Sequence, residues 1–530
     1  MKVLVSDSLS DAGLAILKEA KGIEVDYQPT VHKDLDKLKA AIKTADAIVI
    51  RSGTKLTADI INAAEKLKVI GRAGIGVDNV DVPAASKKGI IVENTPGGNT
   101  VTTAEHAISM MCALTRQIPL ATASVKSGKW EKSRFMGSEL YQKTLGIIGC
   151  GNIGKIVADR ALGLRMKVIA FDPFLTDEMA EKTGVKKVEL EQLLKTSDYI
   201  TIHVPKTEKT ANMINSKAFA KMKRGVYLIN CARGGIVNEK DLVDAINEKI
   251  IAGAALDVFE KEPVDPNNPL LKLEQVICTP HLGAATEEAQ ENVALDVAHQ
   301  IVAYLVNGTI ENAVNVPSVS GEIMKLLQPY LQLAEKIGKL QGQMAVVAPN
   351  EVVIEFAGEI TKLPTPPITV SVLRGLLEPI LEDESVNAVN APYIAKERGI
   401  KLTESKISDH ENFASLITVT LKFKDKQTVV AGTIFGKNHP RIVRVDNYYL
   451  EAVPEGKILV ILNQDKPGVV GNVGTCLAKN KINISRMQLG LDSKTGKATA
   501  FYNVEGDVSD KVLAELKKLP DIISVQQVVL

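Results

Sequence analysis

Thr144-Leu-Gly-Ile-Ile-Gly-Cys-Gly-Asn-Ile-Gly154 is the stretch whose reading decides the fold. The apolar run from Leu145 to Gly149 has the length of a buried strand, and a helical pattern begins just after it. Between the two, Gly149, Gly151 and Gly154 form Gly-x-Gly-x-x-Gly. The first glycine permits a tight turn, the second lets the backbone approach a pyrophosphate, and the third lets helix and strand pack closely. The helix start, with Asn152 and Ile153, offers unpaired amides to an anion. Taken alone the motif also fits a plain strand-to-helix turn. The next strand, however, ends in Phe171-Asp172-Pro173, where an acid meets the ribose hydroxyls of adenosine. Asp172 repels a 2′-phosphate and no arginine immediately follows it, so NAD is expected rather than NADP.

Outward from this motif, strands are expected near Lys167 to Phe171, Tyr199 to Val204, Val226 to Asn230, Ala252 to Leu256 and Val276 to Thr279. A similar alternation precedes it, with strands at Lys2 to Val5, Ile23 to Tyr27, Ala47 to Arg51, Lys68 to Gly71 and Ile90 to Asn94. Strand and helix alternating at this spacing imply parallel sheets wrapped by helices. Pro96-Gly97-Gly98-Asn99 breaks the pattern, and a helix is expected from Thr102 to about Ser127. Another, roughly Thr286 to Asn307, crosses back to the first block. The expected class is α/β, with two doubly wound parallel-sheet domains: a discontinuous one at 1–98 and 286–315, and a Rossmann-type one at 99–285. Val314-Asn-Val-Pro-Ser-Val-Ser-Gly321 reads as a linker. An α+β domain at 318–455 follows, and 456–530 has the strand-helix-strand-strand-helix-strand order of a ferredoxin-like unit.

Composition narrows the function. A chain of 530 residues is too long for one core, and 64 Lys and Arg nearly balance 63 Asp and Glu, so no global field favours nucleic acid or an anionic membrane. No apolar stretch is long enough to span a bilayer, and Met1-Lys-Val-Leu-Val-Ser-Asp7 reads as a strand rather than a signal sequence; the cytoplasm is the expected location. Five scattered cysteines lack a Cys-x-x-Cys pair, which argues against disulfides and a zinc site; no metal is expected.

Three further residues carry chemistry. His281, at the end of the last strand of the second block, titrates near neutrality and can take or return a hydroxyl proton. Glu262 can hold that histidine in one orientation, as the third group of a triad does. Arg233, in Asn230-Cys-Ala-Arg-Gly-Gly235, offers a planar fork to a substrate carboxylate. Each alone has a structural explanation, but the three follow successive strand ends, where such sheets present ligands. They point to oxidation or reduction of a 2-hydroxy acid.

The same motifs, with Gly71-Arg-Ala-Gly-Ile-Gly-Val-Asp-Asn79, Asn94-Thr-Pro-Gly-Gly-Asn99 and Pro280-His-Leu-Gly-Ala284, resemble the D-isomer-specific 2-hydroxyacid dehydrogenase family over nearly the whole chain. The resemblance is to its long form, which oxidises 3-phospho-D-glycerate to 3-phosphohydroxypyruvate with NAD at the entry to serine biosynthesis. It implies that Arg233, Glu262 and His281 are catalytic, and that Cys231 and Asp257 join Asn152, Ile153 and Asp172 at the NAD site. It also implies that Gly74, Ile75, Gly76, Arg72 and Asn99 contact substrate, with Ile75 offering backbone only. Arg51, Arg72, Lys132 and Arg134 are the candidates for a substrate phosphate, the last two by reaching a neighbouring subunit.

The terminal segment is similar to ACT domains, which bind amino acids. Leu462-Asn-Gln-Asp-Lys-Pro-Gly468 and Lys481-Ile-Asn-Ile-Ser485 carry the likeness, implying Asn463, Asp465 and Asn483 as L-serine ligands between two copies. Residues from about 320 to 455 resemble the long form's intervening domain, in which Lys437-Asn-His-Pro-Arg-Ile-Val-Arg444 gathers cations. A serine-inhibited homotetramer or homodimer is expected. The alternatives are a glyoxylate or hydroxypyruvate reductase and an NAD-sensing corepressor of dehydrogenase type.

Overall fold

The computed structural model describes residues 1–317, 319, 321–345, 347–381, 386–506 and 508–530. Positions 318 and 320 of the expected linker lie outside them. The first sheet is parallel: β1 (Lys2–Val5), β2 (Glu24–Tyr27), β3 (Ala47–Ile50), β4 (Val69–Arg72) and β5 (Ile91–Asn94), in the order β2-β1-β3-β4-β5. β3 is buried on both faces, which is why its Ala-Ile-Val-Ile run is unbroken by polar residues. Helix Glu287–Asn307 returns to this sheet: Val293, Val297 and Ile301 share a core with Val3, Val5 and Val69.

The second sheet is parallel too, comprising β6 (Thr144–Ile148), β7 (Lys167–Phe171), β8 (Lys186–Lys187), β9 (Tyr199–Ile202), β10 (Val226–Asn230), β11 (Ile251–Leu256) and β12 (Val276–Cys278). Its order, β12-β11-β10-β9-β6-β7-β8, reverses direction between β6 and β9, and that switch point opens the ligand crevice of a doubly wound sheet. Helix Thr100–Thr115 lies against it, with Ala104, Ala107 and Met111 packed among Leu145, Ile147 and Ile229.

The expected single helix from Thr102 to Ser127 is two: Thr100–Thr115 and Ile118–Lys126. Gln117 between them is left-handed (φ 52°), and Pro119 occupies the first turn of the second helix, where its missing N–H costs nothing. Strand ends otherwise move by a residue or two from expectation; β8, two exposed lysines, was not expected at all.

A six-stranded sheet follows: β13 (Glu351–Gly358), β14 (Lys401–Ile407), β15 (Ser415–Lys422), β16 (Gln427–Phe435), β17 (His439–Val445) and β18 (Tyr448–Ala452). It is mixed, because β14 runs parallel to β13 while the others pair antiparallel. Helices Gly321–Met344 and Pro366–Leu381 cover it. The last sheet is antiparallel, with β19 (Lys457–Gln464), β20 (Asn483–Asp492), β21 (Lys497–Glu505) and β22 (Ile522–Val529) in the order β20-β21-β19-β22. That is the ferredoxin-like arrangement. The two halves of the molecule meet where Asn387 Nδ2 donates to the Gly89 carbonyl (3.1 Å), Lys87 pairs with Glu397 (3.1 Å) and Val389 enters the first sheet's core. Among the described residues, no helix is long and apolar enough to cross a membrane.

Candidate active site

The glycine-rich turn has the geometry its sequence implies. Gly149 has φ 92°, and a Cβ there would stand 2.5 Å from the His203 carbonyl oxygen. A side chain on Gly154 would collide with the Gly149 carbonyl, so this glycine sets how closely helix Asn152–Gly163 packs on β6. Gly151 faces open space, and no side chain caps the amides of the helix that starts beside it. Asp172 follows β7 and is held against this turn: Oδ2 accepts from the Cys150 N–H (2.8 Å) and Oδ1 from the Phe174 N–H (2.8 Å). An open glycine, free helix amides and a fixed acid one strand away fit a dinucleotide with free ribose hydroxyls.

His281 sits on the loop after β12 in a left-handed conformation (φ 58°), its Nδ1 2.7 Å from Glu262 Oε2. The carboxylate fixes the ring and leaves Nε2 to face a substrate. Its hydrogen bond also raises the pKa of His281 above the ordinary value, against the burial that would lower it. Burial alone would raise the Glu262 carboxyl, but the His281 ring and the Phe259 N–H (3.0 Å) outweigh it and hold the group low.

Asp257 braces the same loop. It is buried, and its carboxylate accepts from Thr279 Oγ1 (2.5 Å), Leu282 N–H (2.7 Å) and Gly283 N–H (2.8 Å), with His106 Nε2 3.2 Å away. These donors lower its pKa despite burial. The side chain expected at the NAD site is thus occupied within the chain, holding the histidine loop. Cys231 is buried, its thiol pushed far up by burial and by Asp257, which suits packing under the crevice.

Arginines converge opposite. Arg233 donates from Nε to Asp78 Oδ2 (2.8 Å) and lies directly over Gly76, where any side chain would strike its guanidinium. Arg72 lies over Gly74 in the same way. Burial, then the charge of Arg233 and of Arg51, pushes Arg72 down to about 10, with Asp78 and Asp7 opposing. Its Nε has no partner among the described residues, and neither does the buried Oδ1 of Asn99. Three guanidiniums near one another, one with an unmet Nε–H, make a pocket for an anion.

Other expected contacts differ. The Gly74 N–H donates to Thr95 Oγ1 (2.6 Å), so the amides of Ile75 and Gly76 are those left facing a carboxylate. Lys132 is exposed, and Arg134 pairs with Glu131 (3.4 Å) and Glu274 (2.8 Å). Glu274 precedes β12 whereas His281 follows it, so Arg134 lies toward the opposite end of that strand from its own chain's histidine. In the last domain, Asn463 pairs with Ala498 and Asn483 with Glu505, at opposite ends of β21. At strand rise the two asparagines are roughly 20 Å apart within one chain. Asp465 stands two residues after Asn463, its N–H bonded to the Gly496 carbonyl (2.9 Å).

Sequence reading missed Asp78, His106 and His203. His203 directly follows β9, and burial pushes it down to about 4, keeping the ring neutral. Its position at a strand's C-terminal end was a usable signal. The Arg233–Asp78 and His106–Asp257 contacts join residues more than 150 apart in sequence, and no local pattern announces them.

Comparison with known proteins gives the family. The NAD-binding domain model of D-isomer specific 2-hydroxyacid dehydrogenases matches residues 108–283. The D-3-phosphoglycerate dehydrogenase intervening domain matches 326–446, and an ACT domain like that of the AHAS small subunit matches 459–524. Those models define a class, a nicotinamide-dependent dehydrogenase with an appended amino-acid-binding module. D-3-phosphoglycerate dehydrogenase of Archaeoglobus fulgidus is 45% identical over 525 residues, 99% of each chain, and that of Bacillus subtilis is 42% identical over 99% of each. The solved D-lactate dehydrogenase of Aquifex aeolicus, complexed with NAD and lactic acid, is 29% identical with a TM-score of 0.53, covering 60% of this chain and 100% of that one. The chain belongs to the D-3-phosphoglycerate dehydrogenase family.

Proposed function

We propose that the protein oxidises 3-phospho-D-glycerate to 3-phosphohydroxypyruvate, the first step of serine biosynthesis, with NAD as cofactor and L-serine as inhibitor. The convergence of Arg51, Arg72 and Arg233 beside the His281–Glu262 pair carries this reading. A substrate with both a carboxylate and a phosphate matches three guanidiniums better than a 2-hydroxy acid with one anion. Arg233 and the amides of Ile75 and Gly76 are placed for the carboxylate, and Arg51 and Arg72 for the phosphate. Bound NAD supplies the hydride acceptor. His281 takes the hydroxyl proton on Nε2 as hydride leaves the same carbon, and Glu262 stabilises the imidazolium that forms.

Gly151, the amides from Asn152, Ile153 and Gly154, and Asp172 are assigned to the cofactor's pyrophosphate and ribose. Asn99, with an unmet buried oxygen, is assigned to the substrate. Lys132 and Arg134 then serve a partner subunit's cleft, and Asn463, Asp465 and Asn483 from two copies frame L-serine. Both assignments require at least a homodimer, and the composition fits a cytoplasmic enzyme. The test is NADH formation from 3-phosphoglycerate with and without L-serine. A wild-type protein inactive on it, yet reducing hydroxypyruvate or glyoxylate with NADH, would replace this reading with that of a reductase.

A further inference from the structure

The loop after β3, Arg51 to Thr54, is gripped by two side chains from different parts of the chain. The Asp7 carboxylate, just past β1, accepts from the Arg51 N–H (2.7 Å) and the Thr54 N–H (3.2 Å) through Oδ2. From the other side, Asn79 Nδ2 donates to the Arg51 carbonyl (2.7 Å) and the Thr54 carbonyl (2.6 Å). The same two residues therefore lose both their N–H and their C=O to side chains, where an ordinary loop gives these groups to water or neighbouring backbone. Ser6 Oγ lies 2.9 Å from Thr54 Oγ1 and tightens the grip further.

Other features serve this arrangement. Asp7 is 6% exposed, and a side chain on Gly53 would collide with its Oδ1, so the glycine permits the close approach. His32 stands beside it, with Nδ1 3.7 Å from that oxygen and 3.0 Å from the Ser6 carbonyl. Asn79 ends the segment that carries Arg72, Gly74, Gly76 and Asp78, and its own carbonyl accepts from the Leu56 N–H (2.8 Å). It thus ties the Arg51 loop to the loop on which Arg72 and Arg233 rest. Arg51's guanidinium, exposed at the mouth of the cleft, is steadied by Nη1 donating to the Ser8 carbonyl (3.2 Å).

We infer that Asp7 and Asn79 are positioning residues for substrate recognition: they clamp the Arg51 loop so that its guanidinium is held at a fixed spacing from Arg72 and Arg233. The inference rests on the proposed substrate, since the clamp sets the distance between two anion sites. A 2-hydroxy acid with a distal phosphate gains from that spacing, because a pre-set arginine spends no ordering entropy on binding. Neither clamp residue touches substrate; both act through Arg51.

The test compares Asp7→Ala, Asn79→Ala and Arg51→Ala, singly and paired, in the full chain. Asp7→Ala withdraws the one oxygen that accepts from both N–H groups, and Asn79→Ala releases the two carbonyls. Each is expected to raise KM for 3-phosphoglycerate about 10- to 100-fold, the worth of one hydrogen bond to a charged group, while kcat at saturation and KM for NAD hold. In the Arg51→Ala background neither adds a further loss, because the group they position is gone. Losses that multiply with Arg51→Ala, or that fall equally on kcat and on KM for NAD, would overturn the clamp and leave a structural staple. If Asp7→Ala does not fold, Asn79→Ala decides, acting on the opposite edge of the loop. A wild type that ignores 3-phosphoglycerate but reduces hydroxypyruvate removes the phosphate reading alone, and the coupling with Arg51 is then read on hydroxypyruvate.

Discussion

His281 and Glu262 form a pair whose protonation sets the working pH. The glutamate raises the histidine's pKa, so the stabilisation from their contact is present below about 6.5 and is lost as pH rises through the raised value. Oxidation needs the neutral imidazole, so kcat/KM should climb with pH through an apparent pKa above about 6.5. Glu262→Gln keeps the shape and removes the charge, and the midpoint of its pH–rate profile should move down toward the free-histidine value. An unmoved midpoint would mean that some other group governs the profile. His281→Ala should cost about 10²- to 10⁴-fold in kcat with little change in NAD affinity, measured by initial rates and by cofactor titration. The placement of these two residues was legible because each follows a strand end. The rearrangement of Asp257 was not: its donors, Thr279, Leu282 and Gly283, meet it only once β11 and β12 pair.

At the scale of the element, three glycines in one turn do different work. A methyl on Gly151 meets no protein atom but stands where a pyrophosphate would approach, whereas one on Gly154 strikes the Gly149 carbonyl. Gly154→Ala should therefore lower stability by about 1–3 kcal/mol through overpacking, read by denaturant unfolding. Gly151→Ala should leave stability near wild type and weaken NAD binding about tenfold or more, read by cofactor titration. Equal stability losses in both would sink the distinction. The strand pattern was readable for a related reason: strands inside a doubly covered parallel sheet need unbroken apolar runs, and Lys167–Phe171 and Val226–Asn230 fall where expected. The helix after Asn99 was overextended, although Pro119 signalled a new helix start. β8 has two exposed lysines and only its pairing with Ile169 and Ala170 makes it a strand, so no sequence pattern could have announced it.

Across the whole molecule, strand register decides which sites one chain can complete. Asn463 and Asn483 sit at opposite ends of β21, so a serine site using both must draw them from two chains. Co-expressed Asn463→Ala and Asn483→Ala subunits should form hybrids in which some sites regain two intact partners, with partial serine inhibition where each variant alone has none; no recovery would place serine elsewhere. The return of the chain onto the first sheet carries a pH dependence of its own. Glu93 in β5 is fully buried, Oε1 accepts from the Glu311 N–H (3.1 Å), Oε2 has no partner among the described residues, and the segment through Ala313 bridges back onto this strand. Burial is the main cause that pushes its carboxyl up to about 7, and the nearby Glu311 charge adds to it. An acid protonated in the folded chain and ionised in the unfolded one stabilises fully below its ordinary pKa of about 4.3, and that contribution is lost as pH rises to about 7. The shift sets a ceiling of about 4 kcal/mol on the loss. Glu93→Gln keeps the buried shape without a titrating proton, so denaturant midpoints that fall from about pH 5 to pH 8 in the wild type should flatten in the variant. An undiminished slope in Glu93→Gln would assign the pH dependence to other groups and leave this return of the chain indifferent to pH.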